Sequence, residues 1–281
     1  MRALYVYGGV SGTPKETLPS MRDAFESALN AGSALDAIEL AIHVLEDDPA
    51  LNAGYGSVLS RDGDLELDAG IADGTRGSGG GVANVQVRHP ITLARRVLAD
   101  TPHVLITGPG AIALGADLEQ LADTTPEQRD RWKEARDAGT FEDARFGAPE
   151  HVDTVGAVAL DEAGNLAAGS STGGVFGKLP GRVGDAPIFG AGFYASRDAA
   201  VVGTGVGEIF LETLACLRAA DLIASGMDPQ DACRQVIGAI ERPNCTLGLL
   251  AIDSQGRLGA VFHGAAWPVE GPDGPVEPES V

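Results

Sequence analysis

His151-Val152-Asp153-Thr154-Val155-Gly156-Ala157-Val158-Ala159-Leu160 sets a threonine at the head of an apolar run, directly behind a charged, loop-like segment. The run reads as a buried strand, and threonine opens such strands often enough that the segment alone says no more. Its chemistry is more specific. A threonine hydroxyl is a weak nucleophile unless a base stands beside it. A cut before Thr154 would supply that base as the new α-amine. With a pKa of about 7.7–8.0, such an amine is partly free base at neutral pH.

Further motifs lie on either side. Downstream come Ser170-Ser171-Thr172-Gly173-Gly174, Gly181-Arg182-Val183-Gly184-Asp185, Gly190-Ala191-Gly192 and Gly203-Thr204-Gly205-Val206-Gly207-Glu208. Upstream is Leu51-Asn52-Ala53-Gly54-Tyr55-Gly56-Ser57. Arg182 and Asp185 offer one cation and one anion in a glycine-flanked loop. That pair suits a substrate with a free α-carboxylate and α-amine, although an isolated pair of this kind also reads as a weak surface ion bridge. Gly203–Gly207 could cradle a phosphate, but it lacks the Lys and Ser/Thr of a P-loop.

In this order the motifs resemble those of the plant-type asparaginases and isoaspartyl peptidases, which are N-terminal-nucleophile hydrolases, with glycosylasparaginases as relatives. The resemblance covers about residues 1–120 and 150–265. It implies an α+β fold of the four-layer αββα sandwich type, cut between Asp153 and Thr154 into residues 1–153 and 154–281 of one domain. It makes Thr154 the nucleophile and Thr172 the hydroxyl that holds the nucleophile's rotamer. Thr204 and the Gly205 N–H become the oxyanion hole, and Asn52 orients the reactive amine. Arg182, Asp185 and Gly207, with Thr204 and Gly205, would bind substrate. It also implies a structural Na⁺ held by the carbonyls of Leu45, Glu46, Asp48, Leu51, Ala53 and Tyr55, no catalytic cofactor, and a dimer of cleaved protomers. Two positions depart from the pattern. Asp153 stands where plant-type members have Gly, as in the glycosylasparaginase branch, and Tyr7 replaces the His of His-Gly-Gly-x-Gly.

The implied activity is release of aspartate from L-asparagine and β-aspartyl dipeptides. A glycosylasparaginase is the near alternative, favoured by Asp153 and Ala167-Ala168-Gly169. An uncleaved, non-catalytic binder of aspartyl ligands is the distant one.

Bulk properties set limits. A net charge of −20, with only Lys15, Lys133 and Lys178 as lysines, argues against nucleic acid or anionic membrane as partners. It fits a salty interior, where charge is screened over a few ångström. Cys216, Cys233 and Cys245 are odd in number and widely spaced, which supports neither a disulfide framework nor a zinc site. No stretch of 18 apolar residues exists, so a soluble, cytoplasmic protein is expected. The five histidines, His43, His89, His103, His151 and His263, form no metal motif and each reads as a hydrogen-bonded or surface group.

Periodicity predicts strands at 3–7, 57–60, 65–68, 82–88, 104–107, 154–160 and 166–170, and a hairpin of 247–253 with 258–262. It predicts helices from a Ser33 cap through Leu45, at 92–98, 111–121, 208–225 and 229–240. Residues 122–153 read as a partly helical surface linker. The Pro-, Gly- and Glu-rich tail from Pro268 reads as loose.

Overall fold

The computed structural model describes residues 1–9, 14–141, 154–240 and 245–281. The strands of the first half are β1 (Ala3–Tyr7), β2 (Leu67–Asp73), β3 (Ser78–Val85) and β4 (Leu105–Thr107). Those of the second are β5 (Val155–Leu160), β6 (Leu166–Thr172), β7 (Phe193–Ala195), β8 (Ala199–Gly205), β9 (Leu247–Asp253), β10 (Leu258–His263), β11 (Val269–Gly271), β12 (Gly274–Val276) and β13 (Glu279–Ser280). They form two sheets, in the orders β12-β11-β1-β5-β6-β2-β3-β4 and β13-β10-β9-β8-β7. Eight helices accompany them among the described residues: α1 (Pro14–Ala28), α2 (Ala34–Asp47), α3 (Pro90–Asp100), α4 (Gly108–Leu114), α5 (Pro126–Ala138), α6 (Gly207–Thr213), α7 (Ala215–Ala224) and α8 (Pro229–Gly238). The fold is α+β, as expected.

Strand alternation explains the packing, because successive side chains point to opposite faces. On β5, Val155, Ala157 and Ala159 join a core with α1, α2 and α3, while Val158 and Leu160 join a second core shared with the other sheet. On β9, Leu250 and Ile252 enter that second core, and Leu247, Leu249 and Ala251 enter a third with α7 and α8. Strands with both faces buried therefore read as continuous apolar runs despite antiparallel pairing. The Ser33 side chain caps α2 by accepting from Asp36 N–H, as predicted.

Several expectations are corrected. The tail from Pro268 is not loose: β11 pairs with β1, β12 with β11, and β13 with β10. Residues 57–60 form no strand, although the tight turn after them exists, with Gly63 N–H donating to Ser60 O. The 111–121 helix starts earlier and stops at Leu114, before Gly115. The 208–225 helix is two helices joined at Leu214, whose φ of 49° is left-handed. β3 begins at Ser78 rather than at 82, within the glycine run. In the 122–153 segment, α5 is capped by Thr125 and Trp132 donates to Arg61 O; residues 142–153, including Asp153, lie outside the described residues.

Candidate active site

Thr154 sits buried immediately before β5. In the β5–β6 ladder Val155 pairs with Ser171, so Thr154 continues the register opposite Thr172, the last residue of β6. Thr172 also pairs with Asp68 of β2. Its Oγ1 accepts from Gly174 N–H at 3.0 Å, which fixes the hydroxyl's orientation and leaves its O–H free to donate elsewhere. Asn52 locks the same turn: its Nδ2 donates to Gly174 O at 2.7 Å, its Oδ1 accepts from Val58 N–H, and its carbonyl accepts from Gly173 N–H. The structure thus brings Thr154, Thr172 and Asn52 to one end of one sheet.

Tyr7 links that end to the other sheet. The Tyr7 hydroxyl donates to Gly203 O at 2.5 Å, and a Cβ on Gly156 would meet the same hydroxyl at 2.6 Å. Gly156 is two residues after Thr154, and Gly203 is one before Thr204. Tyr7 is fully buried, and burial pushes its phenol well above the ordinary value, so it stays a neutral donor. Its ring packs edge-on against Trp267, 5.3 Å between centroids. The tyrosine at position 7 is therefore accommodated by the absent side chain at Gly156 and held by its bond to β8.

Thr204 is fully buried and its Oγ1 has no hydrogen-bond partner among the described residues. Gly205 follows with φ 132°, a conformation open to glycine. Arg182 and Asp185 converge on Gly207, where a Cβ would meet Asp185 Oδ1 at 2.8 Å and Arg182 NH2 at 2.9 Å. Arg182 is not paired with Asp185. It makes two parallel bonds of 2.9 Å to the carboxylate of Glu208, a residue whose role the sequence did not disclose. Asp185 is buried with Oδ2 unpartnered among the described residues. Burial pushes its carboxyl up to about 7; Arg182 opposes this, and the charges of Glu208 and Asp68 add to it.

Beneath lie charges that sequence reading missed. Lys178 is buried; its Nζ donates to Glu66 O at 2.7 Å and lies 3.8 Å from Glu66 Oε2. Burial lowers its pKa, against the pull of Asp68 and Glu66. Asp68 accepts from Asn84 and Gly184 N–H, and burial raises its pKa. A lone Lys-Leu-Pro and a lone Leu-Asp-Ala carry no motif, so only the fold could reveal them.

Three of the six expected sodium ligands, the carbonyls of Glu46, Asp48 and Leu51, crowd two glycines. A Cβ on Gly54 would run into Glu46 O, and one on Gly56 into the carbonyls of Leu51, Pro49 and Asp48. Leu45 and Glu46 contribute last-turn carbonyls of α2, which has no basic residue there. Tyr55 O accepts from Thr124 Oγ1, and Leu51 O from Ala53 N–H, leaving each carbonyl a second lone pair.

A buried threonine at a strand start, a buried unpartnered hydroxyl at Thr204, and a guanidinium and a carboxyl converging on Gly207 are the groups that an amide-hydrolysing site needs. Comparison with known proteins agrees. A family model described as asparaginase matches residues 13–268, and the chain belongs to that family. It is 39% identical to the plant-type L-asparaginase of Pyrococcus abyssi over 92% of each chain. It is 40% identical to the isoaspartyl peptidase of Salmonella typhimurium, over 88% of this chain and 84% of that one. To the isoaspartyl peptidase/L-asparaginase of Rattus norvegicus it is 46% identical over 64% of this chain and 56% of that one.

Proposed function

We propose that this chain is an N-terminal threonine amidohydrolase that releases aspartate from L-asparagine and β-aspartyl dipeptides. One observation carries the reading: a guanidinium and a buried carboxyl converge on Gly207, beside an unpartnered buried Thr204 hydroxyl. After a cut before Thr154, its amine takes the hydroxyl proton and Oγ1 attacks the substrate's side-chain carbonyl carbon. Negative charge then forms on the carbonyl oxygen. The Thr204 hydroxyl and Gly205 N–H are the donors offered to it, and losing one such donor costs about 10²–10³ in rate. The tetrahedral species expels ammonia or an α-amine, which collects the proton from the Thr154 ammonium. Water, deprotonated by the same amine, opens the aspartyl ester and restores Thr154. Thr172 and Asn52 hold the nucleophile and its amine.

Arg182 takes the α-carboxylate in this scheme, Asp185 the α-ammonium, and the Gly207 carbonyl assists. Glu208 holds the guanidinium flat in the meantime, so binding exchanges one carboxylate for another and leaves no buried charge uncompensated. The test is a substrate panel on matured protein. Asparagine and β-aspartyl peptides should turn over and α-amidated asparagine should not; Arg182→Lys should lose most activity, since an ammonium cannot make both bonds. Equal turnover of free and amidated asparagine defeats the assignment.

Further readings belong with this one. The three cores described above support a four-layer αββα sandwich in one autocleaved domain. Cys216 and Cys233 are buried and form no disulfide among the described residues, which suits the cytoplasm, and no helix among the described residues is long and apolar enough to cross a membrane. The carbonyls of Leu45, Glu46, Asp48, Leu51, Ala53 and Tyr55 would hold Na⁺, a hard cation that takes oxygen ligands. Its contribution would be to fix the loop that carries Asn52. Cleaved protomers pair as a dimer, the commonest closed assembly. The charge of −20 makes stability salt-dependent, because screening tightens from about 10 Å at 0.1 M to about 3 Å at 1 M. One salt series checks these three readings. The thermal midpoint should rise between those concentrations, further in NaCl than in KCl, and light scattering should give two protomers throughout. A flat midpoint removes halophily, equal salts remove sodium, and a monomer removes the dimer.

A further inference from the structure

α2 and α3 meet at an edge that the proposed chemistry does not use. There His43 of α2 and His89, the residue that opens α3, bring their rings to 4.3 Å between centroids. The Glu46 carboxylate beside them is fully buried. Its Oε1 accepts from the Ser171 hydroxyl at 2.6 Å and from Ile91 N–H at 3.1 Å, while its Oε2 faces His89 Nδ1 at 3.2 Å. Each of the three side chains offers one ligand atom, all within 4.8 Å of one another, the one His/Cys/Asp/Glu group of this kind among the described residues. The sequence reading treated both histidines as isolated; the fold brings them together.

We propose that His43, Glu46 and His89 bind one first-row divalent transition-metal ion of the zinc type. Two imidazoles and a carboxylate are the three protein ligands such an ion takes when its fourth position is left to water. Hard cations such as Ca²⁺ and Mg²⁺ prefer all-oxygen cages, so the nitrogen donors select against them. The carboxylate arrives pre-oriented. Ser171 and Ile91 occupy one oxygen, the outer hydrogen bonding that holds a ligating carboxylate in place. Both imidazoles also have anchors: His43 Nε2 lies 2.5 Å from Thr92 Oγ1 and 3.8 Å from Glu39 Oε1, and His89 Nε2 lies 3.7 Å from Asp47 Oδ1. Their side chains are 31% and 25% exposed, which gives the ion an entry path and the rings room to turn. That turning is needed, because tetrahedral zinc with bonds of about 2.0–2.1 Å sets ligand atoms about 3.3 Å apart.

The site is structural. It ties α2 and α3 to Ser171, which neighbours Thr172 on β6 and pairs with Val155 of β5. It also differs from the sodium loop, which uses main-chain carbonyls, although Glu46 would serve both through different atoms.

Titration of the metal-free full chain with Co²⁺ tests it. One equivalent per chain should bind, with the visible absorption of a four- or five-coordinate ion, and one equivalent of Zn²⁺ should displace it. His43→Gln and His89→Asn should each abolish the bands while leaving circular dichroism and peptide hydrolysis intact. Paramagnetic Co²⁺ on the unaltered protein should shift two imidazole proton resonances, a readout that needs no variant. Binding weaker than about 0.1 mM, bands that survive both substitutions, or shifts on other histidines would overturn the proposal.

Discussion

Thr154→Ala is expected to remain one 281-residue chain and to hydrolyse neither asparagine nor β-aspartyl peptides. Intact mass of the unaltered protein after incubation should instead show fragments of 153 and 128 residues (281 − 153). In the proposed mechanism the substitution removes the oxygen that attacks twice, first the Asp153 carbonyl and then the substrate. The ladder itself begins at Val155, so β5 forms without the hydroxyl and the variant should fold. Arg182, Asp185 and Thr204 are untouched, so substrate binding is judged separately from turnover. Loss of a hydroxyl nucleophile of this type costs about 10⁶ in kcat. Unaltered protein that stays whole yet turns over peptides would end the mechanism, and would favour a reading in which the Thr154 amine is never exposed.

Asp185→Asn should lose activity and gain stability together. Burial places this carboxyl at about 7, against an ordinary value of 3.8. Between those values the folded protein keeps a proton that the unfolded chain releases. Its burden on the fold therefore grows as pH rises from about 4 and is complete above about 7, where it is on the order of 4 kcal/mol. Asparagine carries no such burden, so its thermal midpoint should exceed that of the unaltered protein at pH 8 and match it near pH 4. The proposed ammonium site would be lost in exchange, at a cost of about 10²-fold in kcat/KM, as for a hydrogen bond to a charged group. For the unaltered enzyme kcat/KM should climb through two ionisations, Asp185 near 7 and the Thr154 amine at about 7.7–8.0. The profile of kcat should lack the first, because bound ammonium keeps the carboxyl ionised. Equal midpoints at pH 8 would show that Asp185 is not strained by burial.

The strand after Thr154 was legible because an apolar run ends in Asp161-Glu162-Ala163-Gly164, and Gly164 does turn there with φ 85°. β3 was displaced because Ser78–Gly81 has little strand propensity; those glycines are needed where α3 crowds the sheet, Gly80 lying against Ala94 O. β8 went unread because Gly203-Thr204-Gly205 looks like loop. The tail was misjudged for a related reason. β11 to β13 are two or three residues long and carry Pro275, Gly271 and Gly274, a composition shared with disorder, and pairing with a partner strand decides their state. At the site, residue types and spacing disclosed Arg182 and Asp185, but not that Glu208 holds the guanidinium or that Lys178 and Asp68 lie beneath. Those are facts of distance between segments, and no single segment contains them.

The order of strands in the larger sheet bears on the life of the molecule after a cut at Thr154. β1, from the first half, lies between β11 and β5 from the second, and β6 from the second half is bonded to β2 from the first. Two polypeptides interleaved in this way cannot part without opening the sheet from within. With such a cut, folding would happen once, in a single chain whose halves are tethered. Any later refolding would be an encounter between two separate molecules and would depend on their concentration. Scission at that point would work as a ratchet: easy assembly would precede it, and the cleaved enzyme would persist by the slowness of its unfolding rather than by its capacity to fold again.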